Sequence, residues 1–242
     1  MVKLNKKNVL ILIPARKNSK AIKNKNILNF YQKKSLTEIA VNFSQKLKLA
    51  DDIFVSTDSP KIKKIIEKKT NLKIPFLRSK KNSKDKSAVS SVIKETIKKI
   101  RNKYLTTYQT IILIEPTCPL RKLKDVINAY KKYKKNNYDC LWTINGINLS
   151  YHPNKQLKLK KNQYLQFFNK KGPKITSRQM LEQTYKRNGV CYILKVEKFQ
   201  KNNSLAMKKT GYYLCEDEMI SIDTLEEFNL AKKKFDKNTK YL

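Results

Sequence analysis

The sequence predicts an α/β fold in which helices cover both faces of a mostly parallel β-sheet, giving three layers. Residues 9–14 and 110–115 form continuous apolar runs without alternation, which is typical of strands buried on both faces. Amphipathic helical stretches alternate with these runs, and short polar loops join them. This order predicts a doubly wound sheet, in which ligands bind beyond the carboxyl ends of the strands.

The predicted elements follow one another along one domain that spans residues 1–242. Strands are predicted at residues 9–14, 52–57, 110–115, 139–144 and 189–194, with an extended segment at 212–222. Helices are predicted at residues 35–47, 61–69, 87–103, 125–134 and 224–235, with a short one near residue 196. Ser35 or Thr37 can cap the first helix, and Asp58 or Ser59 the second, where Pro60 suits the first turn.

The alternation stops between residues 145 and 175. Tyr151, Tyr164, Phe167 and Phe168 occur there among turn-forming residues. This composition favours an inserted hairpin that serves as a dimerisation arm over another strand-helix unit. Trp142, just before this segment, is expected in the core.

The chain is strongly basic. It has 55 Lys and Arg against 19 Asp and Glu, a formal net charge of +36. Such a balance can indicate a nucleic-acid partner. The lysines are spread along the whole chain, however, and no RNA- or DNA-binding motif accompanies them. We interpret the charge as a solvated basic surface and expect no nucleic acid, although a nucleic-acid-binding protein stays a second hypothesis.

Cysteine and histidine usage narrows the chemistry. The four cysteines lie far apart, without a Cys-x-x-Cys pair, which predicts a reduced, cytoplasmic protein. His152 is the single histidine, so no zinc site with two histidines is possible, and we expect oxygen ligands for any metal. The longest apolar runs are far below the roughly 20 residues of a spanning helix, so no membrane is expected.

The loop after the first strand, residues 15–26, is the most informative segment. It contains five cations, with Asn and Ser between them: Arg16, Lys17, Lys20, Lys23 and Lys25. At the carboxyl end of a buried strand, cations and backbone N–H groups can hold phosphates. The loop has no glycine, so it is neither a Walker A loop nor a G-x-G-x-x-G fingerprint. Its composition alone fits a solvated basic loop equally well.

Six segments match, in the same order, the motifs of one enzyme family. They are IPARKNSKAIKNKN at 13–26, VSTD at 55–58, PFLR at 75–78, EPTCPLR at 115–121, SRQMLEQTYKRNG at 177–189 and IDTLEEF at 222–228. Over nearly its whole length the chain thus resembles the acylneuraminate cytidylyltransferases, the CMP-sialic acid synthetases. The resemblance implies a Rossmann-like nucleotidyltransferase sheet, Mg²⁺ as cofactor and a homodimer.

The reaction implied by the resemblance is transfer of CMP from CTP to the anomeric hydroxyl of an acidic sugar, with release of pyrophosphate. The sugar would be N-acetylneuraminate or a related nonulosonic acid, activated for cell-surface glycans. Attack at the α-phosphorus builds negative charge on phosphate oxygens, which accounts for the cations.

The resemblance also assigns roles to individual residues. The catalytic cations would be Arg16 and Lys25. The nucleotide would be held by Ala15, Arg16, Ser19, Lys20, Lys25, Asn26, Arg78 and Ser87. The sugar would be held by Glu115, Lys155, Arg178, Gln179, Lys186 with Arg187 beside it, and Asn188. The metal ligand would be Asp223.

Three departures from the family pattern stand out. Ala21 replaces a glycine, Glu115 replaces a glutamine, and Ser221 replaces the first aspartate of a metal-binding Asp-Ile-Asp. Positions two apart on a strand share a face, so two carboxylates there grip Mg²⁺ better than Asp223 and a hydroxyl do. Glu115 either turns the loop or faces the substrate.

Two alternatives therefore remain within the same fold. One is a non-catalytic relative that binds a nucleotide or nucleotide-sugar. The other is a CMP transferase for another acidic sugar of the Kdo type. The sequence does not separate sialic, legionaminic and pseudaminic acids, because their acyl substituents meet a pocket that local motifs do not define.

Overall fold

The computed structural model describes residues 4–17, 21–84, 87–161 and 163–236. In these ranges the strands are β1 (Asn5–Pro14), β2 (Asn29–Tyr31), β3 (Lys34–Ser35), β4 (Asp52–Ser56), β5 (Thr106–Leu113), β6 (Cys140–Gly146), β7 (Leu157–Leu159), β8 (Leu165–Phe167), β9 (Tyr185–Lys195) and β10 (Thr210–Leu214). The helices are α1 (Leu36–Leu47), α2 (Pro60–Thr70), α3 (Val89–Tyr104), α4 (Leu123–Lys135), α5 (Val196–Asn202) and α6 (Leu225–Asp236).

Six of the strands form the central sheet, in the order β10-β6-β9-β5-β1-β4. β1 runs parallel to β4 and β5, and β10 runs parallel to β6. β9 is antiparallel to both of its neighbours, β5 and β6. The predicted mostly parallel sheet is confirmed, and the reversed β9 is the feature that the sequence pattern did not indicate.

Helices pack on both faces of this sheet, which confirms the three-layer fold. Ile11 and Ile13 of β1 belong to the apolar cluster that includes α1, α2, α4 and α6. Leu10 and Leu12 point to the other face, where α3 and α5 lie. Because successive side chains of a strand alternate between faces, β1 needs an unbroken apolar run to fill both clusters.

The first two helices begin where the capping residues predict. Ser35 accepts a hydrogen bond from the Glu38 backbone N–H, and the Glu38 carboxylate accepts from the Ser35 N–H, a complete capping box. Ser59 caps α2, with Pro60 at its first position. α3 begins two residues later than predicted, because Ser87 belongs to the preceding turn and donates to the Lys81 carbonyl oxygen.

The extended segment predicted at 212–222 is shorter than expected. Its strand, β10, ends at Leu214, and the residues that follow form a loop. The Ile222 N–H donates to the Thr117 carbonyl oxygen at 2.8 Å, which holds the end of this loop beside the segment that follows β5.

The segment between residues 145 and 175 contains the predicted hairpin. β7 and β8 pair antiparallel, and every side chain of the two strands is exposed.

Within the described ranges, no helix is long and apolar enough to cross a membrane. All four cysteines are free and buried, as expected for a reduced protein.

Candidate functional site

A cavity of about 370 Å³ opens at the carboxyl ends of β1 and β5. Four segments line it: the loop after β1, residues 78–84 with 87–92, the Glu115–Thr117 turn, and the stretch that precedes α6. The predicted site residues that it brings together are Arg16, Lys25, Asn26, Arg78, Ser87, Glu115 and Asp223. This position agrees with the rule for ligands of doubly wound sheets.

The loop after β1 is held by hydrogen bonds to its neighbours. The N–H of buried Ala15 donates to the Ser56 carbonyl oxygen at 2.9 Å, and the Lys17 N–H donates to Asp58 Oδ1 at 2.8 Å. Asn26 Nδ2 donates to the Arg16 carbonyl oxygen at 2.9 Å. The loop therefore folds back on itself and presents Arg16 to the cavity. Ser19 and Lys20, two predicted nucleotide ligands, lie outside the described residues.

Lys25 joins this loop to the far end of the chain. Its buried Nζ donates to the Ile222 carbonyl oxygen at 2.5 Å and lies 3.3 Å from Asp223 Oδ1. The Asp223 side chain is 78% exposed, so its carboxylate keeps free coordination sites on the cavity side. Lys25 thus positions the predicted metal ligand as well as adding positive charge to the cavity.

Arg78 contributes hydrogen-bond donors that the protein leaves unused. Its backbone N–H donates to the Thr57 carbonyl oxygen at 2.7 Å, and its buried Nη2 lies 4.0 Å from Asp58 Oδ1. Nε and Nη2 have no hydrogen-bond acceptor in the described part of the chain. Burial lowers the pKa of Arg78, and Asp58 and Glu95 oppose that effect. Buried, unpaired donors of this kind indicate that a ligand supplies the acceptor.

Glu95 on α3 holds the segment that carries Asn82 and Lys84 into the cavity. Its carboxylate accepts from the Ser79 N–H and Oγ, both at 2.7 Å, and from Asn82 Nδ2. Burial would raise the pKa of Glu95, but hydrogen bonds from Lys99, Ser79 and Asn82 outweigh it and lower the pKa to about 2. This wall of the cavity therefore depends on an ionised carboxylate.

Arg121 fixes the turn that carries Glu115. Its side chain is buried, its Nε donates to the Val190 carbonyl oxygen at 3.1 Å, and its Nη2 donates to the Glu115 carbonyl oxygen. The guanidinium lies 5.5 Å from the ring centroid of Phe43. The turn is thereby tied to β9 as well as to β5, a role that the sequence did not reveal.

The Glu115 side chain faces the cavity, and its carboxylate has no hydrogen-bond partner among the described residues. No described donor lies within hydrogen-bond distance of its carboxylate, whereas its backbone carbonyl is used by Arg121. Burial raises the pKa of Glu115; Arg121 and Arg187 oppose the shift, Asp223 adds to it, and Lys25 opposes it. The sequence left two interpretations of Glu115 open: it turns the loop, or it faces the substrate. The position of the side chain in the cavity wall favours the second.

A second cavity of about 450 Å³ adjoins the first and shares Glu115 and Val89 with it. Arg187, Trp142 and Tyr192 line it. The Arg187 guanidinium lies 5.2 Å from the centroid of the Trp142 ring, and Trp142 Nε1 donates to the Leu205 carbonyl oxygen at 3.0 Å. Trp142 is therefore at the edge of the core and not inside it. The adjacent Lys186 and Arg187 were the sequence signal for a cation here.

The remaining predicted sugar ligands do not line either cavity. Lys155, Arg178 and Gln179 are exposed. Lys186 is exposed and lies 3.9 Å from Glu218. Asn188 is buried, and its amide bonds Asn145 and the Val190 N–H, which makes it a support of the fold.

The side-chain oxygen atoms that line the cavity suit a hard metal cation that would also bind the substrate. The described residues contain no group of three or more His, Cys, Asp or Glu side chains that could hold a metal alone. Oxygen donors from Asp223, Glu115 and Ser221 do line the cavity. Mg²⁺ prefers oxygen ligands and is commonly held by one or two carboxylates plus substrate phosphates, so these residues fit it.

The Lys25 contact gives a prediction for stability. Lys25→Met removes the donor for the buried Ile222 carbonyl oxygen, which should lower the free energy of unfolding by roughly 1–3 kcal/mol in urea denaturation. The control is Lys23→Met in the same loop, where the side chain is exposed. Equal stabilities of the two variants would contradict the bridging role of Lys25.

The Glu95 contacts give a prediction for pH dependence. A carboxyl whose pKa is lowered by folding stabilises the protein above its unfolded pKa, and this stabilisation disappears as the pH falls towards 2. Glu95→Gln should therefore cost about 2 kcal/mol at pH 7 and progressively less below pH 4.5. Urea denaturation at several pH values checks this, with exposed Glu182→Gln as control. A difference from wild type that does not change with pH would refute it.

Comparison with known proteins finds similar sequences in bacteria. The sequence is 28% identical to the post-translational flagellin modification protein B of Campylobacter coli, over 94% of this chain and 94% of that protein. It is 25% identical to the pseudaminic acid cytidylyltransferase of Campylobacter jejuni, over 92% of this chain and 94% of that enzyme.

Solved structures share the fold. The structure of a CMP:2-keto-3-deoxy-manno-octonic acid synthetase complexed with CTP superposes with a TM-score of 0.70, at 13% identity, covering 95% of this chain and 99% of that one.

Residues 10–241 match the family described as Cytidylyltransferase. The predicted family is confirmed: the chain belongs to the cytidylyltransferases.

Proposed function

We propose that this protein transfers CMP from CTP to the anomeric hydroxyl of an acidic sugar, N-acetylneuraminate or a related nonulosonic acid. The observation that carries the proposal is the buried Arg78 guanidinium, in a cavity that Arg16 and Lys25 also line. Its Nε and Nη2 have no hydrogen-bond acceptor in the described part of the chain. An anionic nucleotide supplies the missing acceptors.

The nucleotide occupies the cavity at the end of β1. Arg16 and Lys25 line this cavity and are assigned to the triphosphate. Ser19 and Lys20 are assigned to it by the sequence motif alone, since they lie outside the described residues. Asn26, Arg78 and Ser87 surround the other part of the cavity and are assigned to the cytidine. The hydrogen bonds of Ala15 and Lys17 fix the loop before the ligand arrives, so less ordering is required on binding.

The reaction is a displacement at the α-phosphorus. The anomeric oxygen of the sugar forms a new bond to this phosphorus and gives up its proton to water. The bond between this phosphorus and the α,β-bridging oxygen breaks, and pyrophosphate leaves with that oxygen. Arg16 and Lys25 stabilise the charge that grows on the phosphate oxygens, because both cations stand at the cavity before reaction. Mg²⁺, held by Asp223 and phosphate oxygens, would neutralise part of the same charge.

The adjoining cavity is assigned to the sugar. Arg187 offers a planar guanidinium at its wall, suited to a carboxylate, and Trp142 and Tyr192 offer apolar and polar surface. Glu115 stands between the two cavities, where the anomeric oxygen and the α-phosphorus must meet.

The direct test is pyrophosphate release from CTP in the presence of Mg²⁺ and each of several acidic sugars, with ATP, GTP and UTP as controls. The proposal predicts release that needs both CTP and one of the nonulosonic acids. Release with UTP or GTP but not with CTP would contradict it, as would release with Kdo alone, which would favour the other acidic-sugar hypothesis.

Arg16→Ala tests the assignment of the triphosphate. Loss of a charge-assisted contact of about 1.5–3 kcal/mol should lower kcat/KM for CTP by at least roughly tenfold. Arg101→Ala is the matched control, because Arg101 is exposed on α3 and does not line either cavity of the site. Equal kcat/KM values for the two variants would remove Arg16 from the mechanism.

The arm is proposed to join two copies in a homodimer. It exposes apolar side chains that a single chain leaves uncovered: Leu157, Leu159, Tyr164, Leu165 and Phe168. Lys155 in the arm and Arg178 just beyond it do not line the cavities of their own chain, so a second copy is the means by which they could approach a sugar.

Light scattering after gel filtration tests the dimer. Wild type should have twice the chain mass of 28.5 kDa, and the double variant Leu165→Ser/Phe168→Ser should have the mass of one chain. Both side chains are exposed, so the fold should survive, as circular dichroism will show. A wild type that stays monomeric at micromolar concentration would contradict the proposal.

A further inference from the structure

The Glu115 carboxylate and the Ser221 hydroxyl face the same small space. This space exists because residue 189 is glycine with φ +74°, a conformation that other residues rarely adopt. A Cβ placed on Gly189 would lie 3.6 Å from Glu115 Oε2 and 4.0 Å from Ser221 Oγ. Both oxygens therefore border the space in front of Gly189, and both residues line the cavity.

Asp223 belongs to the same group of side chains. It follows Ser221 by two residues and lines the cavity together with Glu115. Lys25 fixes one of its oxygens and leaves the rest of the carboxylate exposed. Asp223 therefore has a fixed position and open coordination sites, but position 221 offers it only a hydroxyl as a neighbour.

The Glu115 and Asp223 carboxylates line the same cavity. Within the described residues no hydrogen bond reaches the Glu115 carboxylate, so it is placed to bind a cation that Asp223 also holds. Arg121 Nε and Nη2 donate to the carbonyl oxygens of Val190 and Glu115, whereas its Nη1 has no acceptor among the described residues. Arg187 lies over the Trp142 ring. A divalent cation held by both carboxylates would remove their repulsion.

We propose that Glu115 is the second carboxylate ligand of the metal that accompanies CTP, so that the turn after β5 supplies the negative charge that residue 221 does not. Residue 115 then supplies a carboxylate and residue 221 a hydroxyl on the border of the same space. This inference rests on the proposed function, since the phosphates of CTP complete the coordination.

The competing interpretation is that Glu115 serves the sugar alone, since it also lines the adjoining cavity. The two interpretations differ when no sugar is present. A metal ligand affects the coupling between CTP and the cation, whereas a residue that contacts the sugar alone leaves that coupling unchanged. Binding without sugar therefore decides between them, and no turnover is needed.

The experiment is calorimetric titration of CTP into the protein, in EDTA and in Mn²⁺, without sugar. Binding linkage makes the gain in CTP affinity caused by Mn²⁺ equal to the gain in Mn²⁺ affinity caused by CTP. Four proteins are compared: wild type, Glu115→Gln, Glu115→Gln/Ser221→Asp, and Glu226→Gln as a control on the exposed first turn of α6.

We expect Glu115→Gln to retain CTP binding in EDTA. The factor by which Mn²⁺ increases its CTP affinity should be at least roughly tenfold smaller than in wild type. The double variant should recover most of that gain, and Glu226→Gln should match wild type. An undiminished gain in Glu115→Gln would overturn the proposal, and kinetics with sugar would then assign Glu115 to the sugar.

Two further outcomes would also overturn it. A loss in Glu115→Gln that Ser221→Asp does not reverse would show that the two positions are not equivalent. Failure of wild type to bind CTP in either buffer would refute the proposed function itself, and the inference with it. This last result can be distinguished from failure of the inference alone, because it is measured on the wild-type protein and does not depend on any variant.

Discussion

A single buried ammonium group connects the two ends of the chain at the site. Lys25 Nζ donates to the carbonyl oxygen of Ile222, 197 residues away, and approaches Asp223. This contact links the loop after β1 directly to the segment before α6 at the cavity. A buried lysine needs such partners, because an unpaired charge is costly away from water. The cationic loop and the metal ligand are thus positioned by one interaction.

The reversed strand β9 and buried Arg121 complete the arrangement on the other side. β9 lies between β5 and β6, and its residues 187–192 contribute Arg187 and Tyr192 to the adjoining cavity. Arg121 bonds the β9 carbonyl of Val190 and the carbonyl of Glu115 with one planar guanidinium. The side chain of Glu115 is consequently presented at the boundary of the two cavities, where the reacting groups of the proposed reaction meet.

The sequence predicts much of this fold, for clear physical reasons. Residues 9–14 are apolar without alternation because they fill both core clusters, and Ser35 and Ser59 stand where helix N–H groups need acceptors. The apolar run of β9 does not reveal the direction of the strand, because a buried strand has the same apolar pattern whether it is parallel or antiparallel to its neighbours. A buried cation such as Arg121 also looks like the many exposed ones in a chain of net charge +36.

The most direct test of the account is where CTP binds. A larger cavity of about 720 Å³ lies at the opposite ends of the strands, beside the amino ends of β1 and β5. Lys6, Arg101 and Lys195 are among the residues that line it. Hydrogen exchange measured with CTP and Mg²⁺ distinguishes the two locations. The account predicts slower exchange in peptides that cover residues 21–27, 76–84 and 114–121. Protection confined to residues 4–9, 106–110 and 195–202 would place the nucleotide in the larger cavity and contradict it.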